Sequence, residues 1–215
     1  MKKGLLLFGF MLFLFSGFSQ TKDVIFYNHH FFISEPIPEN ILSRMKGKSL
    51  PDKALIRVED LRYLTIPYYD FNGEIQQGEM VCNKAIAHDL LVVFCELFHQ
   101  EYPINSIRLV DDFDADDEAS MEANNTSCFN YRNVPGTTEL SKHALGMAVD
   151  INPLQNPWIP GKKVYPVNAV EYVDRTKDFP HKIDYDDACY RIMKARGFFW
   201  GGDWKRGTDY QHFHK

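Results

Sequence analysis

The chain has 215 residues, of which 45% are hydrophobic and 25% charged, and its formal net charge at pH 7 is −5. This length is enough for one domain with a hydrophobic core and short for two. The acidic balance argues against a protein that binds nucleic acid or an anionic membrane surface, because such proteins need a basic face.

The N-terminus has the pattern of a signal peptide. Lys2 and Lys3 precede an apolar run over residues 4–15, and a small-residue pattern follows that ends at Ser19. The run is shorter than the roughly 20 apolar residues of a membrane-spanning helix. We therefore expect residues 1–19 to be removed and the protein to be secreted or periplasmic, without stable membrane insertion. An uncleaved N-terminal anchor is the alternative.

Four cysteines would then enter an oxidising compartment, where three complete disulfide connectivities exist. None of them forms a Cys-x-x-Cys pair, so a cysteine zinc site is not expected. One disulfide and none are both compatible with the sequence. Cys95 falls on a predicted helix face and is expected to be a buried thiol. The four are Cys82, Cys95, Cys128 and Cys189.

Residues 20–60 carry few periodic signals, and prolines interrupt them. We expect an N-terminal extension that packs on a single domain formed by residues 61–215. Within that domain, residues 61–69 and 74–81 alternate in polarity around an Asp-Phe-Asn-Gly turn, which predicts a β-hairpin.

A helix is predicted directly after this hairpin. Asn83 can cap it, apolar residues from Ile86 to Phe98 fall on one face, and Pro103 ends the pattern. Residues 104–110 then have the composition of a strand. A second helix is expected over residues 185–196, with acidic residues in its first turn and basic residues in its last.

The acidic run over residues 111–118 lacks the glycine and the closing glutamate of an EF-hand, and a solvated loop is expected there. Strands and helices are mixed without a βαβ rhythm. The predicted fold class is therefore α+β, an antiparallel sheet with flanking helices.

The first chemical motif places His143 and Asp150 seven residues apart around Gly146. Seven residues span about 23 Å in a strand or about 10 Å in a helix. Donors to one zinc ion lie about 2 Å from it, so the chain must turn between the two residues, most readily at the glycine. The alternative is an ordinary loop histidine and turn aspartate. Ser141 is not expected to act as a nucleophile, because no Gly-x-Ser-x-Gly elbow is present.

The second motif lies near the C-terminus, where Asp209 precedes His212 by three residues. This spacing allows the histidine to bind a metal ion while the carboxylate reaches a water molecule beside it. The alternative is a polar surface tail, although neighbouring tryptophans and Phe213 favour packed structure. His214 competes with His212 as a ligand, since residues two apart on a strand share a face.

Together the motifs resemble those of the M15 family of zinc D,D-carboxypeptidases and L-alanyl-D-glutamate endopeptidases. The family patterns are Ser-x-His-x-x-Gly-x-Ala-x-Asp and a later acid-x-x-His, and the likeness covers residues 79–212. The resemblance implies a zinc core of the Hedgehog/DD-peptidase type. The first pattern is filled by Ser141, His143, Gly146, Ala148 and Asp150, and the second by Asp209 and His212.

The resemblance also implies a role for each residue. Zn²⁺ would be held by His143, Asp150 and His212 with one position open to water. Asp209 would be the catalytic base, and Arg132 would steady the substrate carbonyl. Ser141 would hydrogen-bond near the site without touching the metal.

The function implied is a zinc-dependent peptidase that hydrolyses peptidoglycan stem peptides by a metal-activated water. Either an L-Ala-D-Glu endopeptidase or a D-Ala-D-Ala carboxypeptidase fits, and an aspartate as the base favours the former. The expected partners are peptidoglycan peptides and not nucleic acid. The alternative is a noncatalytic zinc-containing module that binds the cell wall on the same scaffold.

Overall fold

The computed structural model of this protein describes residues 21–215, so the predicted signal peptide lies outside the described residues. None of the helices in residues 21–215 combines the length and hydrophobicity required to cross a membrane. The strands are β1 (Asp23–Tyr27), β2 (His30–Glu35), β3 (Leu61–Tyr69), β4 (Ile75–Asn83), β5 (Ser106–Ile107), β6 (Asn125–Thr126), β7 (Ala148–Asp150), β8 (Trp158–Ile159), β9 (Phe199–Trp200), β10 (Thr208–Asp209) and β11 (His212–His214). The α-helices are α1 (Glu39–Met45), α2 (Lys84–His99), α3 (Asp117–Glu122) and α4 (Ala188–Ala195).

The largest sheet contains four antiparallel strands in the order β1-β2-β3-β4. Helix α2 packs against this sheet and contributes nine buried residues to the main core. The mixed arrangement of antiparallel sheets and helices confirms the predicted α+β class. A smaller core joins α1 to the opposite face of β3 and β4, through Leu61 and Val81.

The β3–β4 hairpin and helix α2 confirm two predictions made from the sequence. The strands pair from Leu61 opposite Asn83 to Tyr69 opposite Ile75. Asn83 then caps α2, because its side chain accepts a hydrogen bond from the Ala85 amide at 3.0 Å. The helix is thereby fixed at the end of β4.

Residues 20–60 contain β1, β2 and α1, and the first two strands belong to the same sheet as β3. Their turn is Asn28-His29, and both residues have positive φ angles of 46° and 68°. Two positive φ angles at a two-residue hairpin turn are typical of type I′, which usually carries glycine. The four-stranded sheet therefore includes strands from both sides of residue 60, the predicted boundary between the N-terminal extension and the domain.

Two predictions for residues 104–118 require correction. The predicted strand over residues 104–110 is reduced to β5, which pairs in parallel with β6. The acidic run is not a loop throughout, because it contains most of a 3-10 helix, Val110–Phe113, and the start of α3, although Asp112, Asp114 and Asp116 are exposed as expected. Asp111 is buried and accepts hydrogen bonds from the backbone and hydroxyl of Ser49 at 3.1 and 2.9 Å. These partners satisfy the carboxylate, which explains how an acidic residue is accommodated inside.

The second half of the chain forms small sheets against the main core. One has the order β7-β11-β9 and another pairs β10 with β8. The predicted second helix is confirmed as α4, which begins at Ala188 because Asp187 caps it through the amides of Cys189 and Tyr190. All four cysteines of the chain are buried and unpaired, and the buried thiol predicted at Cys95 is confirmed.

Candidate metal centre and its pocket

Two of the predicted ligands are brought together by strand pairing. His212 on β11 is directly opposite Asp150 on β7 in the antiparallel register. Side chains of directly opposed residues point to the same face of a sheet. Both side chains are buried, and His212 Nδ1 lies 3.1 Å from Asp150 Oδ1.

The third predicted ligand arrives through a turn. His143 begins a 3-10 helix, His143–Leu145, which ends at Gly146 with a φ of +64°. A Cβ at this glycine would lie 2.6 Å from the Asn83 amide nitrogen. The predicted turn at Gly146 is confirmed, and it requires glycine for both its φ angle and its close approach to the start of α2.

The three side chains approach one another closely, and one ligand atom from each lies within 4.8 Å of the other two. His143 Nε2 lies 3.2 Å from His212 Nδ1 and from Asp150 Oδ2, and His212 Nδ1 lies 3.1 Å from the other carboxylate oxygen, Asp150 Oδ1. Zinc donors about 2.0–2.1 Å from the ion in tetrahedral directions are separated by about 3.3 Å. The chemistry and spacing of these donors therefore fit a zinc ion, and the buried group is consistent with a metal site.

The tautomer of His143 supports the same fit. Its Nδ1–H donates to the backbone oxygen of Cys128 at 2.7 Å, so Nε2 carries the lone pair in the neutral ring. This arrangement, in which a carbonyl orients a ligand histidine, is common at metal sites. Two imidazole nitrogens and a carboxylate converge in one buried group, and these are ligand types that suit a shared zinc ion.

Electrostatics in the group are dominated by burial and by the carboxylate. Burial would lower the pKa of His143, but the charge and hydrogen bond of Asp150 outweigh it and the pKa is raised. Burial lowers the pKa of His212. The two histidines overcome the effect of burial on Asp150 and hold its pKa well below the usual value, so this carboxylate remains ionised.

Asp209 lies on β10 and lines the same pocket. It is held close to Gly201, where a Cβ would lie 2.5 Å from the Asp209 backbone oxygen and 3.2 Å from the His212 Cβ. Burial, followed by the charge of Asp150, raises the pKa of Asp209 well above its usual value. Its Oδ1 has no hydrogen-bond partner within residues 21–215. A divalent cation among the ligands would oppose these effects and favour the carboxylate.

Arg132 and Ser141 lie on adjacent segments of the chain at the pocket wall. The Ser141 amide donates to the Arg132 backbone oxygen at 3.1 Å, and the Ser141 hydroxyl accepts from the His143 amide at 3.2 Å. Arg132 forms an ion pair with Asp117, with 2.7 Å between Nη2 and Oδ2. Ser141 thus supports the turn that carries His143, and Asp117 holds the guanidinium.

The pocket brings every predicted site residue to one place, together with residues that were not predicted. His214 lies beside His212, with 5.3 Å between ring centroids, but it is not one of the three residues of the metal-competent group. Asp117 and Gln211 were not predicted, whereas the glycines at 201 and 202 had indicated packed structure, and Gly201 does pack closely against Asp209. The lining residues are Asp117, Met121, Arg132, Val134, Pro135, Ser141, His143, Asp150, Trp158, Trp204, Asp209, Gln211 and His212.

Comparison with known proteins links this site to a family of peptidases. Residues 135–215 match the model of a peptidase M15 family described as D-alanyl-D-alanine carboxypeptidase. The matched range contains His143, Asp150, Asp209 and His212, and the recognition of the M15 family is confirmed over it. The match to this family implies the Hedgehog/DD-peptidase fold for the matched range. No curated protein and no solved structure was found to match the chain.

Proposed function

We propose that this protein is a zinc-dependent peptidase that hydrolyses peptidoglycan stem peptides after export from the cytoplasm. The observation that carries this proposal is the buried group of His143, Asp150 and His212, whose side chains approach one another to 3.1–3.2 Å in the pocket that also contains Asp209. The M15 match supports a peptide substrate. Export is supported only by the signal-peptide pattern of residues 1–19, which the structure does not describe.

We assign a chemical role to each side chain of the pocket from its position. A zinc ion held by His143, Asp150 and His212 would supply the Lewis acidity that activates water and polarises the scissile carbonyl. Asp209 accepts the proton of the attacking water at its carboxylate and transfers it to the departing amine.

Arg132 is placed to act on the substrate carbonyl. Its Nη2 forms the ion pair with Asp117, whereas its Nε is buried and has no hydrogen-bond partner among the described residues. The Nε–H is therefore available to donate to the carbonyl oxygen, where negative charge develops during attack. The side chains of Trp158 and Trp204 form pocket walls that restrict water around the reacting groups.

The bond that is cut is either L-Ala-D-Glu or the terminal D-Ala-D-Ala bond. An aspartate in the position of the base favours the endopeptidase, and the description of the matching family model favours the carboxypeptidase. Digestion of purified muropeptides followed by mass spectrometry of the products separates them. Loss of one terminal alanine identifies the carboxypeptidase, whereas release of the stem peptide after its first alanine identifies the endopeptidase.

Two variants test the assignment of roles. Asp209→Asn should retain one zinc ion per chain but lose nearly all cleavage, and His143→Ala should lose both. The control is Asp178→Asn, which changes a fully exposed aspartate and should behave like the wild type. A noncatalytic cell-wall-binding module would take up zinc and bind muropeptides without cleaving them. Equal cleavage by the Asp209→Asn variant and the wild type would refute the role given to Asp209.

A further inference from the structure

Three buried polar atoms on the pocket wall have no hydrogen-bond partner in the described part of the chain. They are Arg132 Nε, Asp209 Oδ1 and Gln211 Oε1. Buried polar groups in folded proteins are almost always hydrogen-bonded. One donor and two acceptors are therefore left for a ligand, and the proposed reaction uses only the first two atoms.

Gln211 is the unexplained member of this set. Its side chain is 1% exposed, and its backbone oxygen accepts from the Ile151 amide at 3.0 Å, which fixes the residue at the junction of β7 and β11. The side-chain oxygen accepts no hydrogen bond from any other part of the described structure. An uncharged amide in this position cannot serve as a charge partner for Arg132, which is paired with Asp117.

We propose that Gln211 is a substrate-binding residue whose Oε1 accepts a hydrogen bond from a main-chain N–H of the peptide. This inference rests on the proposed function and extends it to the way in which the peptide is held. A peptide backbone supplies acceptors and donors in alternation. Arg132 Nε meets a carbonyl oxygen of the peptide, and Gln211 Oε1 meets an N–H other than the one of the bond that is cut.

A structural glutamine elsewhere in the chain shows the contrast. Gln155 is also buried, but its Oε1 accepts from the side-chain amide of Asn124 at 2.9 Å. Gln155 does not line the pocket. The substitution Gln155→Met therefore removes a structural hydrogen bond and makes a matched control for Gln211→Met, which removes an acceptor that faces the pocket.

The test uses the pentapeptide L-Ala-D-Glu-L-Lys-D-Ala-D-Ala and analogues in which one non-scissile amide at a time is replaced by an ester. An ester lacks the N–H but keeps the chain length and shape. We expect the wild type to lose about threefold to tenfold in kcat/KM on one analogue, the range for one uncharged hydrogen bond. Gln211→Met should show a similar loss on the parent peptide and no further loss on that analogue.

The controls separate this hydrogen bond from a general effect on folding or on the metal. Gln155→Met should show the same loss of kcat/KM between the parent peptide and the ester analogue as the wild type does. Gln211→Met should bind one zinc ion per chain, measured by atomic emission. Should Gln211→Met not fold, Gln211→Glu keeps an acceptor in the same position and should preserve the discrimination, whereas loss of discrimination in that variant contradicts the proposal.

The outcomes distinguish the inference from the proposed function. If Gln211→Met prefers the parent peptide over the ester analogue as strongly as the wild type does, the inference is overturned. The proposed function still stands in that case, because the wild type cleaves the peptide. Absence of cleavage by the wild type overturns the function. In that case the binding of the same peptides to the zinc-loaded Asp209→Asn protein, with and without Gln211→Met, is measured by calorimetry. If no peptide binds, or if Gln211→Met does not weaken binding, the inference is overturned as well.

Discussion

His212 and Asp150 are paired directly across the antiparallel strands β11 and β7, with 3.1 Å between Nδ1 of the imidazole and Oδ1 of the carboxylate. Strand pairing therefore fixes two of the three proposed ligands by backbone hydrogen bonds. The third, His143, depends on the turn that ends at Gly146. This turn is tied to the start of α2, because the Asn83 amide donates to the Gly146 oxygen at 2.8 Å.

Replacement of Gly146 by alanine should disrupt both folding and metal binding. The new Cβ would meet backbone atoms at 2.6 and 3.0 Å, and the φ of +64° is unfavourable for alanine. Gly47→Ala is the matched control, since Gly47 has a φ of +74° but no atom within 4 Å of the new Cβ. We expect Gly47→Ala to lower the free energy of unfolding by about 1–2 kcal/mol, the cost of a left-handed conformation.

Urea denaturation of the two variants measures the difference. Gly146→Ala should lose at least about 2 kcal/mol more than Gly47→Ala, because backbone atoms cannot move aside as a side chain can. It should also bind zinc more weakly, whereas Gly47→Ala should bind it as the wild type does. Equal stability and equal zinc affinity in the two variants would show that the close approach at Gly146 is unimportant.

Asp117→Asn should impair cleavage without removing the metal. The ion pair of 2.7 Å between Asp117 and Arg132 holds the guanidinium that is proposed to meet the substrate. A shift of about 1 Å in a positioning group can reduce the rate by about a hundredfold. We expect kcat/KM to fall by about tenfold to a hundredfold, with one zinc ion retained per chain.

The control for Asp117 is Glu122→Gln, which removes one negative charge at an exposed position of the same helix, α3. It should leave kcat/KM unchanged. A reduction of the same size in both variants would attribute the effect to the net charge near the pocket and not to the position of Arg132.

Asp187→Asn should remove a dependence of stability on pH. Burial raises the pKa of Asp187 to about 6, against about 3.9 in the unfolded chain. The folded protein therefore binds this proton more tightly. Its contribution to stability is fully present below about pH 4 and is lost as the pH rises through about 6.

Asparagine keeps the side-chain oxygen that caps α4 but cannot ionise. At pH 7 we expect Asp187→Asn to be more stable than the wild type by roughly 3 kcal/mol, and at pH 4 to be nearly equal to it. Chemical denaturation at several pH values measures this difference, with the exposed Asp178→Asn as the control. A stability difference that does not change between pH 4 and pH 7 would contradict the raised pKa.

The local elements of the fold were predictable because their signals are short in range. Asn83 and the apolar face after it identified α2, and the turn at Gly146 followed from the spacing of His143 and Asp150. The type I′ turn at Asn28-His29 was not predicted, because neither residue is the glycine that usually marks two positive φ angles.

The parts of the site that depend on long-range pairing were less accessible. Strands β7 and β11 have three residues each, too few for a periodic pattern, and they are about sixty residues apart in the chain. Asp117 belongs to an acidic run that is typical of solvated loops, and only the tertiary structure brings it to Arg132. Gln211 lies between recognisable motif residues but has no charge or nucleophile to signal a role.

The central claim is that His143, Asp150 and His212 hold one zinc ion. Anomalous diffraction at the zinc absorption edge, from crystals of the zinc-loaded protein, tests it most directly. We predict one peak about 2.0–2.2 Å from His143 Nε2, His212 Nδ1 and a carboxylate oxygen of Asp150. A zinc-loaded crystal with no peak among these three side chains, or with its peak at other residues, would contradict it.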